Sequence, residues 1–343
     1  MLKRISEASP IHVSILLISD FSLIALSSII EPMRIANLVG RKTAYTWEII
    51  SKDGLPVNSS GGIEVSADYD ITSCPQPSNA IICSGLNAHL YHDPIVFSYL
   101  RRWAIQGAYL GTVCTGSHIL ANAGLLAGYK CTIHWENMDS FIEEFPNAKV
   151  QQQLFTIDRD RFTCSGGTAG IDMMLKNIND IYGHDIANAV SEQFMHERIR
   201  ERDDNQRLPL QTRLRTNHPK LIKVISRMEE NTEEPLSREE IAEQVNLSHR
   251  QLERLFKKYL GTSPAKYYLI LRLKRAKILL LQTTIPITDV AFASGFTSPS
   301  HFSKCYKDVF NITPRQERRS TSEISNMSLK DEILGSGLIK YTK

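Results

Sequence analysis

The N-terminal part of the chain alternates short runs of β-branched and aliphatic residues with longer segments of helical periodicity. The short runs predict strands at His12–Ile18, Thr46–Ser51, Ala80–Cys83, Tyr109–Val113, Lys130–Ile133 and Arg161–Cys164. The longer segments predict helices at Ser22–Leu38, Asp93–Gly107, Gly116–Ala123, Glu136–Phe145, Gly170–Tyr182 and Ala187–Arg200. Because strands and helices alternate, we expect an α/β fold with a mostly parallel sheet covered on both faces.

Beyond about residue 220 the periodicity is helical only, and the sequence repeats itself. The segment IAEQVNLSHRQLERLFKKYLGTSP (241–264) aligns with VAFASGFTSPSHFSKCYKDVFNITP (290–314). Each copy contains a short helix, a turn at Asn246 or Gly295, a second helix with a serine N-cap, and a proline stop. These features predict two helix-turn-helix units, joined by one helix over 265–281.

The second helix of each repeat has an apolar stripe and a polar, largely basic opposite face. The predicted stripes are Leu252, Leu255, Phe256 and Tyr259 in the first copy and Phe302, Tyr306 and Phe310 in the second. The predicted DNA-contacting residues are Ser248, Arg250, Gln251, Arg254, Lys257, Ser300, His301, Lys304 and Lys307. Such side chains read base edges or neutralise phosphates in a major groove. The alternative is a helical bundle with a solvated basic face, and the repeated turns and caps favour DNA binding.

Charge separates the two parts of the chain. The whole chain has a net charge of +3, but residues 1–197 carry −7 and residues 198–343 carry +10. Such a concentration of positive charge predicts a polyanionic partner.

Residues 196–220 are polar and contain Pro209 and Pro219, which predicts a linker between a domain at 10–195 and a domain at 221–320. Residues 321–343 are expected to form a flexible tail.

Composition narrows the class of protein further. Apolar residues make up 42 % of the chain and charged residues 22 %, which is sufficient for two folded domains. The six cysteines show no CxxC pair and no zinc-site spacing, so we expect no metal site and a reducing, cytoplasmic location. No long uninterrupted apolar run is present, so no membrane contact is expected.

The stretch GTVCTGSHIL (111–120) contains the main candidate for chemistry. Cys114 lies between a predicted strand and a predicted helix, and the small residues around it allow a tight elbow. The helix N-terminus is expected to favour a thiolate, although a buried cysteine is more often a small core residue. Three further residues favour a functional site: His134 at the end of the next strand, Gly85 just after the strand Ala80–Cys83, and Glu31 early in the first helix-to-loop region.

The segments SHRQLERLFKKYLGTSP and GFTSPSHFSKCYKDVFNITP resemble the two signatures of the AraC/XylS family of transcription regulators, across residues 221–319. The resemblance implies a DNA-binding regulator whose partners are double-stranded operator DNA and RNA polymerase. Lys304 stands where the family often has an arginine, which weakens the expectation of a bidentate guanine contact.

Residues 10–195 resemble the class I glutamine amidotransferase-like domain of the PfpI type, which implies a flavodoxin-like α/β sandwich. In that domain a Glu, an elbow Cys and a His meet at one pocket, and the resemblance assigns ligand binding to Glu31, Gly85, Cys114, Thr115 and His134. PfpI-type peptidases have a histidine where this chain has Thr115, so we expect no catalytic residue and no cofactor.

The segments EPMRIANLVGR and SGGTAGIDMML are similar to regulators of arginine, glycine betaine or carnitine catabolism. This similarity implies a homodimeric activator of a catabolic operon that responds to a small nitrogenous metabolite. Two other functions stay open. One is a cysteine-dependent hydrolase or hydratase with a DNA-binding appendage, and the other is a redox sensor that acts through oxidation of Cys114.

Overall fold

The computed structural model describes residues 1–7 and 9–319, and the chain divides into two units, Met1–Arg207 and Leu208–Lys343. The tail expected at 321–343 lies outside the described residues. The first unit is a mixed α/β domain and the second contains helices, which confirms the predicted fold class.

A seven-stranded sheet forms the centre of the first unit. The strands of the unit are β1 (Ile11–Leu17), β2 (Tyr45–Ser51), β3 (Val57–Asn58), β4 (Glu64–Val65), β5 (Tyr69–Asp70), β6 (Asn79–Cys83), β7 (Tyr109–Val113), β8 (Lys130–Cys131), β9 (Lys149–Val150), β10 (Phe155–Asp158) and β11 (Arg161–Cys164). The sheet order is β10-β11-β7-β6-β1-β2-β5, and only the β10–β11 pair is antiparallel. The five longest strands of its parallel part follow the predicted runs, because residues buried on both faces produce nearly continuous apolar segments.

Helices cover both faces of this sheet and create two hydrophobic cores. The helices are α1 (Leu23–Val39), α2 (Pro94–Ile105), α3 (Gly116–Asn122), α4 (Met138–Glu144), α5 (Ala169–Tyr182) and α6 (His184–Gln193). One core contains residues of α1, α5 and α6, and the other contains residues of α2, α3 and α4. The sheet is therefore rigidly held from both sides, and its loop-bearing edge can position a site.

Three loops meet at the carboxyl edge of the central strands. Val113, the last residue of β7, pairs with Cys83 of β6 on one side and with Cys164 of β11 on the other. The residues that follow, Cys114, Ser84 and Ser165, are consequently neighbours at this edge.

The described part of the second unit, up to residue 319, contains the helices α7 (Leu210–Leu214), α8 (Pro219–Glu230), α9 (Arg238–Gln244), α10 (His249–Leu260), α11 (Pro264–Gln282), α12 (Ile287–Ala293) and α13 (Pro299–Phe310). Helices α8 to α10 and the start of α11 enclose one core, and the rest of α11 packs with α12 and α13 around a second. The predicted connecting helix is confirmed as α11. Within residues 1–7 and 9–319, no helix has the length and apolar character needed to span a bilayer.

Several predicted elements differ from the structure. The strand expected at Lys130–Ile133 contains only two residues, and they pair with β9 in a separate small sheet. The helix expected at Ala187–Arg200 ends at Gln193, because residues 196–207 instead form hydrogen bonds across the first unit, such as Leu154 N–H to the Arg202 carbonyl. The segment interpreted as a linker, 196–220, therefore divides between the two units, and its later part contains α7 and the start of α8.

Candidate functional site

Cys114 occupies a sharp turn between β7 and α3. Its backbone φ is +60°, a left-handed conformation that is uncommon for a residue with a side chain. Gly166 packs closely against this turn, which it can do because it has no side chain. A Cβ on Gly166 would lie only 2.7 Å from the Cys114 Cα. The predicted elbow is thus present, with an adjacent glycine loop that packs directly against it.

Backbone contacts bring four of the five predicted ligand-binding residues together at this elbow. The Thr115 hydroxyl donates a hydrogen bond of 2.5 Å to the Gly85 carbonyl, and the His134 N–H donates one of 3.4 Å to the Cys114 carbonyl. The first of these bonds holds the loop that follows β6 against the elbow.

The protonation states at the elbow follow from burial. Burial raises the pKa of the Cys114 thiol, and interactions with the backbone and side chain of Thr115 oppose this shift without cancelling it. The expected thiolate is therefore wrong, since desolvation outweighs the donors at the start of α3. Burial also lowers the pKa of His134, against the opposing charge of Glu136. Because His134 Nδ1 accepts the Glu136 N–H at 3.4 Å, Nε2 carries the proton of the neutral ring.

The fifth residue, Glu31, lies in α1 and makes a different contact. Its carboxylate accepts hydrogen bonds from Arg34 Nε at 3.0 and 3.1 Å and from Nη2 at 2.6 Å. Its side chain is 39 % exposed, as expected of an i,i+3 surface pair.

A cavity of about 190 Å³ opens beside the elbow, behind the Gly166 loop. Its lining residues are His134, Trp135, Leu154, Ser165, Gly166, Gly167, Thr168, Ala169, Arg200 and Gln206. His134 is the one predicted ligand residue in this lining, and Gly166 connects the cavity to Cys114. The cavity has the location expected for a small-molecule site in an α/β domain, at the carboxyl edge of the strands.

Sequence reasoning missed two polar lining residues, Arg200 and Gln206, and the buried Asp172 that binds Arg200. Asp172 in α5 is fully buried, and its carboxylate accepts bonds from His196 Nε2 at 2.9 Å and from Arg200 Nε at 3.0 Å and Nη2 at 2.6 Å. Gln206 donates from Nε2 to the Ile133 and Gln153 carbonyls at 3.1 and 2.7 Å. Residues 196–206 are polar and aperiodic, so nothing in the sequence distinguished them from a linker.

In the second unit, each of the nine predicted DNA-contacting side chains is exposed on α10 or α13 or at its N-cap. Ser248 and Gln251 form a reciprocal capping box, in which the Ser248 hydroxyl accepts the Gln251 N–H and the Gln251 Oε1 accepts the Ser248 N–H. These two residues therefore also determine where α10 begins.

The apolar stripe of α10 is narrower than predicted. Leu252 and Phe256 are buried, but Tyr259 is 39 % exposed and its ring lies 5.2 Å from that of His218. Tyr259 is therefore a surface residue, because it lies in the last turn of α10, where the core around α8 ends.

The turns within the two helix-turn-helix units have the same left-handed geometry. Asn246 has φ +50° and Gly295 has φ +74°. In the second unit, Arg272 of α11 donates to the Ser294 carbonyl at 2.9 Å and to the Gly295 carbonyl at 2.6 Å. The connecting helix thus fixes the turn that precedes α13.

Together the two units define a DNA-binding transcription regulator with an α/β domain at its N-terminus. Residues 13–180 match the DJ-1/PfpI family, and residues 241–320 match a helix-turn-helix domain family. The chain is 46 % identical over 311 residues to the HTH-type transcriptional regulator GbdR of Pseudomonas aeruginosa, which covers 91 % of this chain and 85 % of that protein. The chain therefore belongs to the AraC-type transcriptional regulators that carry a DJ-1/PfpI domain.

Two further similarities each cover about half of the chain or less. A crystal structure of an AraC family transcriptional regulator from Pseudomonas putida matches with a TM-score of 0.50 and 28 % identity, over 53 % of this chain and 98 % of that chain. An isonitrile hydratase of Pseudomonas putida is 32 % identical over 143 residues, which covers 41 % of this chain and 62 % of the enzyme. The fold is therefore shared by regulators and by at least one enzyme.

Proposed function

We propose that this regulator is a homodimeric activator that binds operator DNA through α10 and α13, contacts RNA polymerase, and responds to a small nitrogenous metabolite in its N-terminal unit. The observation that carries the proposal is the exposure of the nine predicted DNA-contacting side chains on two repeated helices. Such a pair of helices suits two successive major grooves of one operator.

The effector would bind at the elbow and the adjoining cavity. Gly85, Cys114, Thr115 and His134 are within one network of backbone contacts, which supports a common role in ligand binding. Glu31 stays a predicted ligand residue, and its pairing with Arg34 means that an effector would have to compete with that arginine.

The proposed sensor does not turn over its ligand. Burial keeps Cys114 protonated, and Thr115 supplies no base because an aliphatic hydroxyl is too weakly basic to accept the thiol proton. A nucleophilic thiol needs a depressed pKa or an adjacent base. These features support a binding role in place of catalysis.

The test is operator binding by full-length variants. Arg250→Ala and Arg254→Ala should reduce discrimination between the operator and unrelated DNA, at about 1–3 kcal/mol each, because arginine reads base edges. Lys257→Ala should weaken binding to the operator and to unrelated DNA nearly equally, since lysine mainly neutralises phosphate. Lys149→Gln, an exposed lysine of the first unit, is the matched control. Equal loss on both DNAs for all three α10 variants would contradict the assignment of the reading face.

A cysteine-dependent hydratase is the second candidate function. The similarity to isonitrile hydratase and the left-handed Cys114 favour it. Incubating the protein with small isonitriles, nitriles and amides tests this function directly. Product formation that disappears in Cys114→Ser would establish an enzyme, and no product above the rate in buffer would exclude hydration of these substrates.

A further inference from the structure

The cavity behind the Gly166 loop is lined by one permanently charged side chain, and that side chain is basic. Of its ten lining residues, all within the described part of the chain, Arg200 is the only one with a permanent charge. No Asp or Glu is among them, and His134 is held neutral by burial. A cationic ligand group would find no carboxylate here, whereas an anionic group would find a guanidinium.

Arg200 is held in one orientation by groups that lie behind it. Its Nε and Nη2 donate to the fully buried Asp172 carboxylate, and Nη2 also donates to the Thr168 hydroxyl at 2.8 Å. The Arg200 backbone N–H adds a fourth bond, to Asp172 Oδ1 at 2.7 Å. Among residues 1–7 and 9–319, none accepts a hydrogen bond from Nη1. The guanidinium is thus oriented in advance and keeps donors for a further partner.

Two other lining residues favour the same type of ligand group. His134 carries its proton on Nε2, which makes that nitrogen a neutral donor. Thr168 is the N-cap of α5, so the positive end of that helix also lies at the cavity. The volume of about 190 Å³ equals roughly six water molecules at the volume of liquid water, which limits the ligand to a small molecule.

We propose that this cavity binds the carboxylate group of a small metabolite, with Arg200 as the principal donor and Asp172 as the residue that positions it. The inference rests on the proposed effector-sensing function and specifies the chemical class of the effector. It assigns ligand recognition to Arg200 and Thr168.

The experiment uses full-length protein and two matched pairs of probes, measured by isothermal titration. Glycine betaine is compared with choline, and L-arginine is compared with agmatine; each second compound lacks the carboxylate. We expect the wild-type protein to bind at least one carboxylate probe about tenfold or more tightly than its partner, as charge-assisted hydrogen bonds predict. Failure of both carboxylates to bind, or equal binding within both pairs, overturns the proposal.

Variants then test which residue is responsible. Arg200→Gln should lower the affinity for the carboxylate probe about tenfold or more. Arg198→Gln, which removes an exposed arginine paired with Asp204, should leave this affinity unchanged. Equal affinity in the two variants overturns the role of Arg200.

Because Arg200→Gln also removes the guanidinium that pairs with the buried Asp172, a second comparison leaves that ion pair intact. Gly167 has φ +57°, a conformation that strains any side chain but Asn and Asp least, and no atom beyond its chain neighbours lies within 4 Å of the position that a Cβ would occupy. Gly167→Asp should bind the carboxylate about tenfold or more weakly than Gly167→Asn, because the two side chains differ only in charge. Equal binding by these variants overturns the proposal.

Operator binding by the same preparations separates the two claims. Loss of carboxylate binding with intact operator binding leaves the regulator function in place. If the wild-type protein does not bind its operator more tightly than unrelated DNA, the proposed function itself is contradicted.

Discussion

At Cys114, the backbone and the side chain indicate different roles. The left-handed φ of +60° is costly for a residue with a side chain and is typical of a functional elbow. The thiol, however, has a raised pKa because it is largely removed from solvent. The elbow geometry therefore does not by itself produce a nucleophile in this chain.

The Cys114→Ser variant should retain induction by the natural effector. Serine has nearly the same shape as cysteine, so the loss in effector binding should be about 1 kcal/mol or less, the usual net value of one hydrogen bond. A promoter fusion titrated with effector in wild type and variant measures this. Abolished induction in a variant that still folds and binds its operator would indicate thiol chemistry.

His118 should make the stability of the first unit depend on pH. Its ring is fully buried, neither nitrogen has a hydrogen-bond partner among the described residues, and burial lowers its pKa to about 3. The unfolded chain binds this proton near pH 6.5 and the folded chain does not. The stability is therefore fully present above about pH 6.5, and each pH unit below it removes about 1.4 kcal/mol.

Urea unfolding between pH 5 and pH 8 measures this effect. His118→Leu should remove most of the loss at pH 5, because a leucine fills the site beside Phe141 and Phe145 without binding a proton. Burial raises the pKa of the nearby Glu144, which makes the stability fall as the pH rises, so this effect is opposite in sign to that of His118. His184→Leu removes an exposed histidine and should leave the profile as in wild type; an unchanged profile in His118→Leu would contradict the assignment.

At the level of elements, the two helix-turn-helix units depend on the residue in each turn. Asn246 and Gly295 both adopt positive φ, which Gly and Asn tolerate best. Gly295 has a second constraint, since a Cβ would lie 2.5 Å from Pro235 Cγ and 2.6 Å from the Thr232 carbonyl. It therefore allows the second turn to pack directly against the loop that precedes α9.

Gly295→Ala should destabilise the second unit more than Gly261→Ala. Both glycines have positive φ, at +74° and +69°, so both variants incur about 1–2 kcal/mol of backbone strain. Of the two, only Gly295 has other residues near the added Cβ, since at Gly261 none lies within 4 Å of the position that a Cβ would occupy. Denaturant unfolding of the full-length variants gives the difference, and equal destabilisation would show that the close contact with Pro235 relaxes freely.

The sequence predicted elements wherever local pattern and tertiary environment agree. The strand Tyr109–Val113 is correct to the residue because burial on both faces requires an apolar run. Two-residue strands such as Val57–Asn58 have no periodicity to detect. The Asp172–Arg200 pair was missed because the two residues are far apart in sequence and meet only after residues 196–207 pack on the first unit.

At the level of the whole molecule, the charges of the two parts are opposite in sign. Residues 1–197 carry −7 and residues 198–343 carry +10, and 14 basic residues but only 4 acidic ones lie within 244–319. A polyanion is therefore attracted to one part and repelled by the other. The 14 basic residues include side chains of both repeated helices, so the asymmetry supports the proposal that these helices contact DNA.

Operator binding by the full-length protein should depend strongly on salt. Each neutralised phosphate releases condensed counterions, so about six lysine and arginine contacts would lower the affinity about a thousandfold between 50 and 200 mM salt. Fluorescence anisotropy with labelled operator gives the slope of log affinity against log salt. Lys304→Gln and Lys307→Gln should each reduce that slope by about 0.9 if the lysine contacts a phosphate, whereas Lys149→Gln should not change it. A slope near zero would mean that the positive charge of α10 and α13 does not face DNA, and an unchanged slope in both α13 variants would restrict the phosphate contacts to the first helix-turn-helix unit.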